Sequence, residues 1–182
     1  MTDTATATSG RDARNKRMIR VDQAGEFGAT RIYEGQLAVM GNRGPHSAEI
    51  EAMAAQEATH RKEFDALMAR RGVRPTALQP VWSAAGYGLG AVTALMGPEA
   101  AMACTAAVET EIDRHYSDQL DELEANGSDP ELAEMIERFR EDEREHLDTA
   151  MTSGAEKAAG YPLLSGAIRL GCRFAIKLSQ RV

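Results

Sequence analysis

The chain has 182 residues, a formal net charge of −7, 43% apolar residues and only 5% aromatics. That length suffices for one domain with its own core, and the acidic balance argues against nucleic acid as a partner. Alanine, leucine, methionine and glutamate dominate while alternating Val/Ile-rich runs are scarce, which favours an all-α domain over a sheet. In chain order, the polar Thr2–Ser9 stretch has no apolar signal core. Residues 1–13 are expected to form a disordered tail ahead of a single domain over residues 14–182. A first helix is predicted from about Arg14 to Met40, ended by Gly41-Asn42-Arg43-Gly44-Pro45. A second starts at a Ser47 cap and stops at Gly72, with acids early and bases late as the helix dipole prefers. An apolar third helix covers about Val81 to Met96. Pro98 opens a fourth that ends at Asn126-Gly127. Ser128-Asp129-Pro130 caps and starts a fifth, reaching about Ser153, and Tyr161-Pro162 opens a sixth that continues to the end. Cys104 and Cys172 form no metal motif and are read as reduced thiols.

The chain repeats itself. Glu26 is followed by Tyr33, Gln36 and Leu37, and Glu109 by Tyr116, Gln119 and Leu120, at the same spacing. Downstream of each comes Glu-x-x-His: Glu57 with His60, then Glu143 with His146. Two helix pairs of one layout imply a duplicated helical hairpin and a pseudo-twofold bundle.

Glu-x-x-His is an i, i+3 pair, so both side chains leave one helix face and can bind one metal together. Antiparallel pairing across the Gly44 and Gly127 loops brings Glu26 and Glu109 to the level of those pairs. The sum is four carboxylates and two imidazoles aimed into one core. Without metal the carboxylates would repel one another and resist ionisation, whereas two divalent cations neutralise them. Oxygen and imidazole donors together suit iron or manganese. Any one Glu-x-x-His alone is ordinarily a solvated helix face; the repeated upstream pattern is what turns the pair into a site.

Around this set the reading branches. Asp142 and Gln56, each just before a metal glutamate, either hold the second nitrogen of a histidine or face solvent. Tyr33 and Tyr116 either line the site or pack in the core with a satisfied hydroxyl. His115 is read as a hydrogen-bonded core or pocket histidine rather than a ligand, and His46 as a solvated loop residue. Gly86-x-Gly88-x-Gly90 has the wrong spacing for a dinucleotide site and marks close packing or lipid contact.

At these residues the sequence resembles the demethoxyubiquinone hydroxylase family. Arg20-Val21-Asp22-Gln23-Ala24-Gly25-Glu26-Phe27-Gly28-Ala29 with Arg31-Ile32-Tyr33 is similar to its first motif. Ala101-Met102-Ala103-Cys104-Thr105 with Val108-Glu109 and His115-Tyr116 resembles the third, and Phe139-Arg140-Glu141-Asp142-Glu143 with Glu145-His146 the fourth. Gln23 stands where the family often has histidine, and Glu141-Asp142 replaces an Asp-Glu order. The resemblance covers roughly residues 17–180.

It implies a ferritin-like four-helix bundle with two additional membrane-facing helices, and a di-iron monooxygenase that hydroxylates the ring of a polyprenyl methoxy-methyl-benzoquinol with O2. Two iron ions per chain are implied, with Glu57 and Glu143 bridging, Glu26 and Glu109 terminal, and His60 and His146 on one iron each. Electrons originating from NADH and partner proteins that deliver the quinone are implied by the resemblance alone. A greasy substrate fits the rest of the chain. No charged residue lies between Pro75 and Pro98. That segment reads as a core helix, a helix dipping into one leaflet or a tunnel wall, and is short for a full span. Arg169, Arg173, Lys177 and Arg181 recur every four residues with no acid among residues 161–182, a stripe suited to anionic lipid. The expected location is peripheral, on the cytoplasmic side of a bacterial inner membrane or the matrix side of a mitochondrial one. A ferritin-like iron oxidase or storage protein would share the six ligands but lack the uncharged segment and the basic tail. A non-catalytic membrane-associated helical scaffold would bind no stoichiometric iron.

Overall fold

The computed structural model describes residues 2–127 and 129–181, with side chains from Gly10 onward. Its elements are α1 (Thr2–Met40), α2 (Ser47–Arg71), α3 (Gln79–Leu95), α4 (Pro98–Asn126), α5 (Pro130–Thr152), a 3-10 turn (Ala155–Lys157) and α6 (Tyr161–Ser179). All are helical, and no strand occurs among the described residues. The helix expected to start near Arg14 begins at Thr2: no proline interrupts this stretch, and Asp12 pairs with Lys16 one turn on at 2.9 Å. Where Ser47 was expected as a cap, His46 takes that position with φ 64°, and Ser47 lies buried in the first turn. Ser128 lies outside the described residues. The cap of α5 is Asp129, whose Oδ1 accepts from the Leu132 N–H at 3.2 Å. The same carboxylate binds Arg71 and accepts from Asn15 Nδ2 at 3.0 Å, so one cap ties α1, α2 and α5 together.

α1 pairs with α2 and α4 with α5, the two hairpins foreseen from the repeat. Two apolar clusters fill the bundle. One is rich in alanine and includes Tyr33, Ile50, Met53 and Met102. The other is built of larger side chains: Ile19, Phe64, Leu67, Leu132, Ile136 and Phe139.

α3 lies along α1 because glycines remove the side chains between them. A Cβ on Gly90 would fall inside the Ile32 carbonyl, one on Gly35 inside the Tyr87 carbonyl, and one on Gly86 would come to 2.9 Å of the Gly28 oxygen. Gly88, between the two α3 contact glycines, faces open space. Of the two readings of this glycine run, the close-packing one applies at Gly86 and Gly90.

α6 is fastened to α4 by a buried carboxylate. Glu111, fully buried, accepts from Arg169 Nε at 2.7 Å and from Arg173 Nε and Nη2 at 2.8 Å each. Arg114 approaches the same carboxylate at 3.0 Å. This corrects the reading of all four bases as a stripe for anionic lipid: Arg169 and Arg173 neutralise a charge of the body, because a buried carboxylate needs cationic partners. Lys177 and Arg181 remain exposed. Trp82 Nε1 donates to Ser179 Oγ at 3.0 Å and pins the far end of α6 to α3.

Two measurements follow from this packing. Gly90→Ala should destabilise the chain by about 3 kcal/mol, because backbone must move away from backbone. Gly88→Ala should be neutral or stabilise by about 0.5–1 kcal/mol; denaturant unfolding of the pair is the check. Arg173 is the main cause that holds Glu111 down to about 2, against the effect of burial. A depressed carboxylate stabilises fully above its ordinary value of 4.5, and that stabilisation is lost as pH falls toward 2. The fluorescence of Trp82, the chain's single tryptophan, should therefore change through that window as α6 lifts, and Glu111→Gln should abolish the change.

Candidate metal centre

The six residues singled out from the repeat meet in one buried layer. Glu26, Glu57, His60 and Glu143 bring ligand atoms within 4.8 Å of one another, and so do Glu57, Glu109, Glu143 and His146. Glu57 and Glu143 belong to both sets; Glu26 with His60 marks one, and Glu109 with His146 the other. None of the six is more than 2% exposed.

The donor atoms point inward without partners. Glu26 Oε2, both oxygens of Glu57, His60 Nδ1, Glu109 Oε2 and Glu143 Oε1 are buried and make no hydrogen bond. Leaving so many polar atoms unsatisfied in a protein interior is costly. Their convergence fits cations with oxygen and imidazole donors, and a charge of −4 fits two divalent ions.

Each histidine has its outer nitrogen engaged. His60 Nε2 lies 2.9 Å from Asp142 Oδ2, and His146 Nε2 lies 3.0 Å from Gln56 Oε1. In the neutral ring an acceptor at Nε2 places the proton there and leaves the Nδ1 lone pair for the interior. His60 Nδ1 indeed faces Glu26 at 3.4 Å and Glu143 at 3.3 Å, and His146 Nδ1 faces Glu57 at 3.4 Å. Of the two readings of Asp142 and Gln56, histidine-holding is the one the fold adopts. His60 also stacks on Phe139 with ring centroids 4.0 Å apart.

The tyrosines line the layer. Tyr33 Oη donates to Glu109 Oε1 at 2.8 Å, and Tyr116 Oη donates to Glu26 Oε1. Every one of these supports crosses between hairpins: each tyrosine serves the other hairpin's glutamate, and Asp142 and Gln56 serve the other hairpin's histidine. Burial, followed by nearby carboxylates, raises both phenols well above 10, so they act as donors and stay neutral.

The carboxylates pay for their crowding in proton affinity. Burial first, and then the charges of Glu143, Glu26 and Glu109, push Glu57 well above the usual range; burial and Glu143 do the same to Glu109. Burial also raises Glu26. Burial works against Glu143 as well, but the flanking imidazoles of His146 and His60 outweigh it and hold it at about 2. Burial lowers His60, yet Glu143 and Glu26 lift it to about 11.

Residues 13–179 match the family described as Ubiquinone biosynthesis protein COQ7. The chain belongs to this family. The Rhodospirillum rubrum protein named 3-demethoxyubiquinol 3-hydroxylase is 52% identical over 167 residues, covering 91% of this chain and 77% of that one. The Dictyostelium discoideum protein named NADPH-dependent 3-demethoxyubiquinone 3-hydroxylase, mitochondrial, is 52% identical over 170 residues, covering 92% and 77%. The human protein of the same name is 48% identical over 168 residues, covering 91% and 77%.

His115, set aside as a ligand, lies outside the metal layer. Its Nε2 is 3.1 Å from Asp22 Oδ1, and Gln119 Nε2 donates to the same oxygen at 2.8 Å. The sequence reading missed Asp22 and Glu111. Asp22 lies one turn before Glu26 on the same face. Glu111 lies two residues past Glu109 and so faces away from the site, toward the bases of α6. Both could have been found by asking which charge each helix face must meet. Asp22 and His115 have no counterparts in the other half, where the equivalent positions hold Thr105 and Ile32, both buried. There the apolar cluster of Ile32, Cys104, Ala107, Val108 and Ile168 lies beside Leu89, Leu164 and Cys172 of α3 and α6.

Groups whose affinity for protons is raised must lose them when a cation enters. Manganous or ferrous ion added to the metal-free chain should release protons at neutral pH and bind more tightly as pH rises. Calorimetry in buffers of different ionisation enthalpy measures this; uptake with no proton release would mean binding elsewhere.

Proposed function

We propose that this chain is a di-iron monooxygenase that hydroxylates the ring of a polyprenyl demethoxyubiquinol during ubiquinone biosynthesis, in a ferritin-like bundle. The observation that carries the reading is the pair of ligand sets sharing Glu57 and Glu143, in a chain about half identical to proteins named as 3-demethoxyubiquinol or 3-demethoxyubiquinone hydroxylases. In this reading two irons would be held by Glu57 and Glu143, which are common to both ligand sets, together with Glu26 and His60 on one side and Glu109 and His146 on the other. The iron pair, when bound, supplies the electrons that split O2 and the oxidant for a ring C–H bond.

The chain's own residues supply the rest. Tyr33 and Tyr116 hold Glu109 and Glu26 in place, each by donating its phenol proton to the carboxylate. Asp142 and Gln56 fix the imidazoles with Nδ1 inward. The two apolar clusters keep bulk water out of the layer. We take the apolar flank of Cys104, Val108 and Leu164 beneath α3 and α6 as the side of the layer that the quinol ring would approach.

The isoprenoid tail requires a lipid surface. No helix among the described residues is long and apolar enough to cross a membrane. Leu95 of α3 is 75% exposed, and Leu163, Leu170 and Phe174 of α6 are 83%, 68% and 65% exposed. We read these as a membrane-facing side, with Lys177 and Arg181 for anionic headgroups and a peripheral location on the cytoplasmic or matrix side. Electrons come from a reduced nicotinamide, the class named for the Dictyostelium and human relatives. Quinone-delivering proteins of the same pathway remain part of the proposal.

Incubation with a demethoxyquinol, a reductant and labelled O2 should place one labelled oxygen on the ring. Label drawn only from water would contradict a monooxygenase. Glu143→Ala, which removes a shared ligand, should lose both bound iron and turnover, and full activity in that variant would refute the assignment.

A further inference from the structure

The two halves of the metal layer differ in the group that holds the outer nitrogen of each histidine. His60 Nε2 meets a carboxylate oxygen, Asp142 Oδ2, at 2.9 Å, whereas His146 Nε2 meets an amide oxygen, Gln56 Oε1, at 3.0 Å. The positions are equivalent, since each acceptor directly precedes a shared glutamate, and the distances nearly match. Only the chemistry of the acceptor differs. A carboxylate carries a full negative charge and pulls harder on the Nε2 proton than an amide dipole does. The ring it holds becomes the more basic donor at Nδ1.

We propose that Asp142 and Gln56 are positioning residues that make the two metal positions unequal, so that the ion held by Glu109 and His146 accepts the first electron. This rests on the di-iron reading above. A stronger imidazole donor favours the ferric over the ferrous state, so the His60 position holds its electron less readily. The His146 position, with the weaker donor, is reduced first. Each ion takes one electron, and a two-electron reductant fills both in turn. The remaining supports do not offset the difference, because Tyr33 and Tyr116 make matching hydroxyl-to-carboxylate bonds on the two sides. Asp142 is 33% exposed on its side chain, so water damps its charge without removing it. Val108, the neighbour of Glu109, belongs to the apolar cluster beneath α3 and α6. The more easily reduced position is therefore also the one nearest the apolar flank.

The test loads the full chain with iron-57 and titrates it with dithionite, following Mössbauer and electron paramagnetic resonance spectra. Two quadrupole doublets should be reduced in sequence, with a mixed-valence form at the midpoint. Asp142→Asn and Gln56→Glu are isosteric exchanges. The first should shift only the doublet reduced last and make it easier to reduce. The second should shift only the doublet reduced first and make it harder to reduce. A tenfold change in either one-electron equilibrium corresponds to about 59 mV. The double exchange should invert the order, an outcome that a merely structural role does not produce. Should one single variant fail to load iron, the other together with the double exchange decides. Two bound irons whose doublets ignore these exchanges, or whose order survives the double exchange, would overturn the inference and leave the hydroxylase reading standing. A parent chain that binds no iron would overturn both.

Discussion

Four carboxylates buried in one layer are the constraint on which the rest of this structure depends. In a low-dielectric interior their repulsion opposes folding unless charge is supplied from within. His60, which burial lowers but Glu143 and Glu26 lift to about 11, supplies part of it, and Glu143 sits between the two imidazoles as the anchor. Everything immediately around the layer holds these groups at fixed distance. Phenols donate to the outer glutamates, acceptors hold the outer imidazole nitrogens, and apolar clusters lie on either side. A layer so arranged stores unfavourable energy that a cation relieves. That is the physical sense in which the fold is prepared for a metal.

The convergence of the six residues was legible in the sequence because helices convert spacing into direction. Glu57 with His60, and Glu143 with His146, share a helix face by arithmetic, and the matching distances to Gly44 and Gly127 bring Glu26 and Glu109 level with them. What lay between hairpins was harder to read. Whether Asp142 or Gln56 reached a histidine depended on how two hairpins dock, and nothing local fixes that. The basic stripe of α6 misled for a related reason. Its period was visible, but its partner, Glu111, was one glutamate among many, and only burial distinguishes it. Helix ends followed glycine at Gly72 and Gly127 and the second helix starts at Ser47 as expected, whereas the start at Thr2 and the His46 cap departed from expectation.

Duplication supplied symmetry, and the chain then departs from it where the surroundings differ. His115 and Asp22 form a hydrogen-bonded polar flank, whereas Ile32, at the position equivalent to His115, belongs to the apolar cluster beneath α3 and α6. The glycine contacts of α3 belong to this asymmetry. By docking backbone on backbone they bring an uncharged helix against α1 without side chains between them at Gly35, Gly86 and Gly90.

The crossing of supports between hairpins has a consequence for how such a molecule could arise. Tyr33 serves Glu109, Tyr116 serves Glu26, Asp142 serves His60 and Gln56 serves His146. A lone hairpin would hold two of the glutamates and one histidine, yet neither the phenol nor the acceptor that steadies them. Two copies of one hairpin, associated about a twofold axis, would furnish every missing contact at once. The layout is thus that of a self-complementary pair, and joining the copies into a single chain is what allowed the two acceptors and the two flanks to become different.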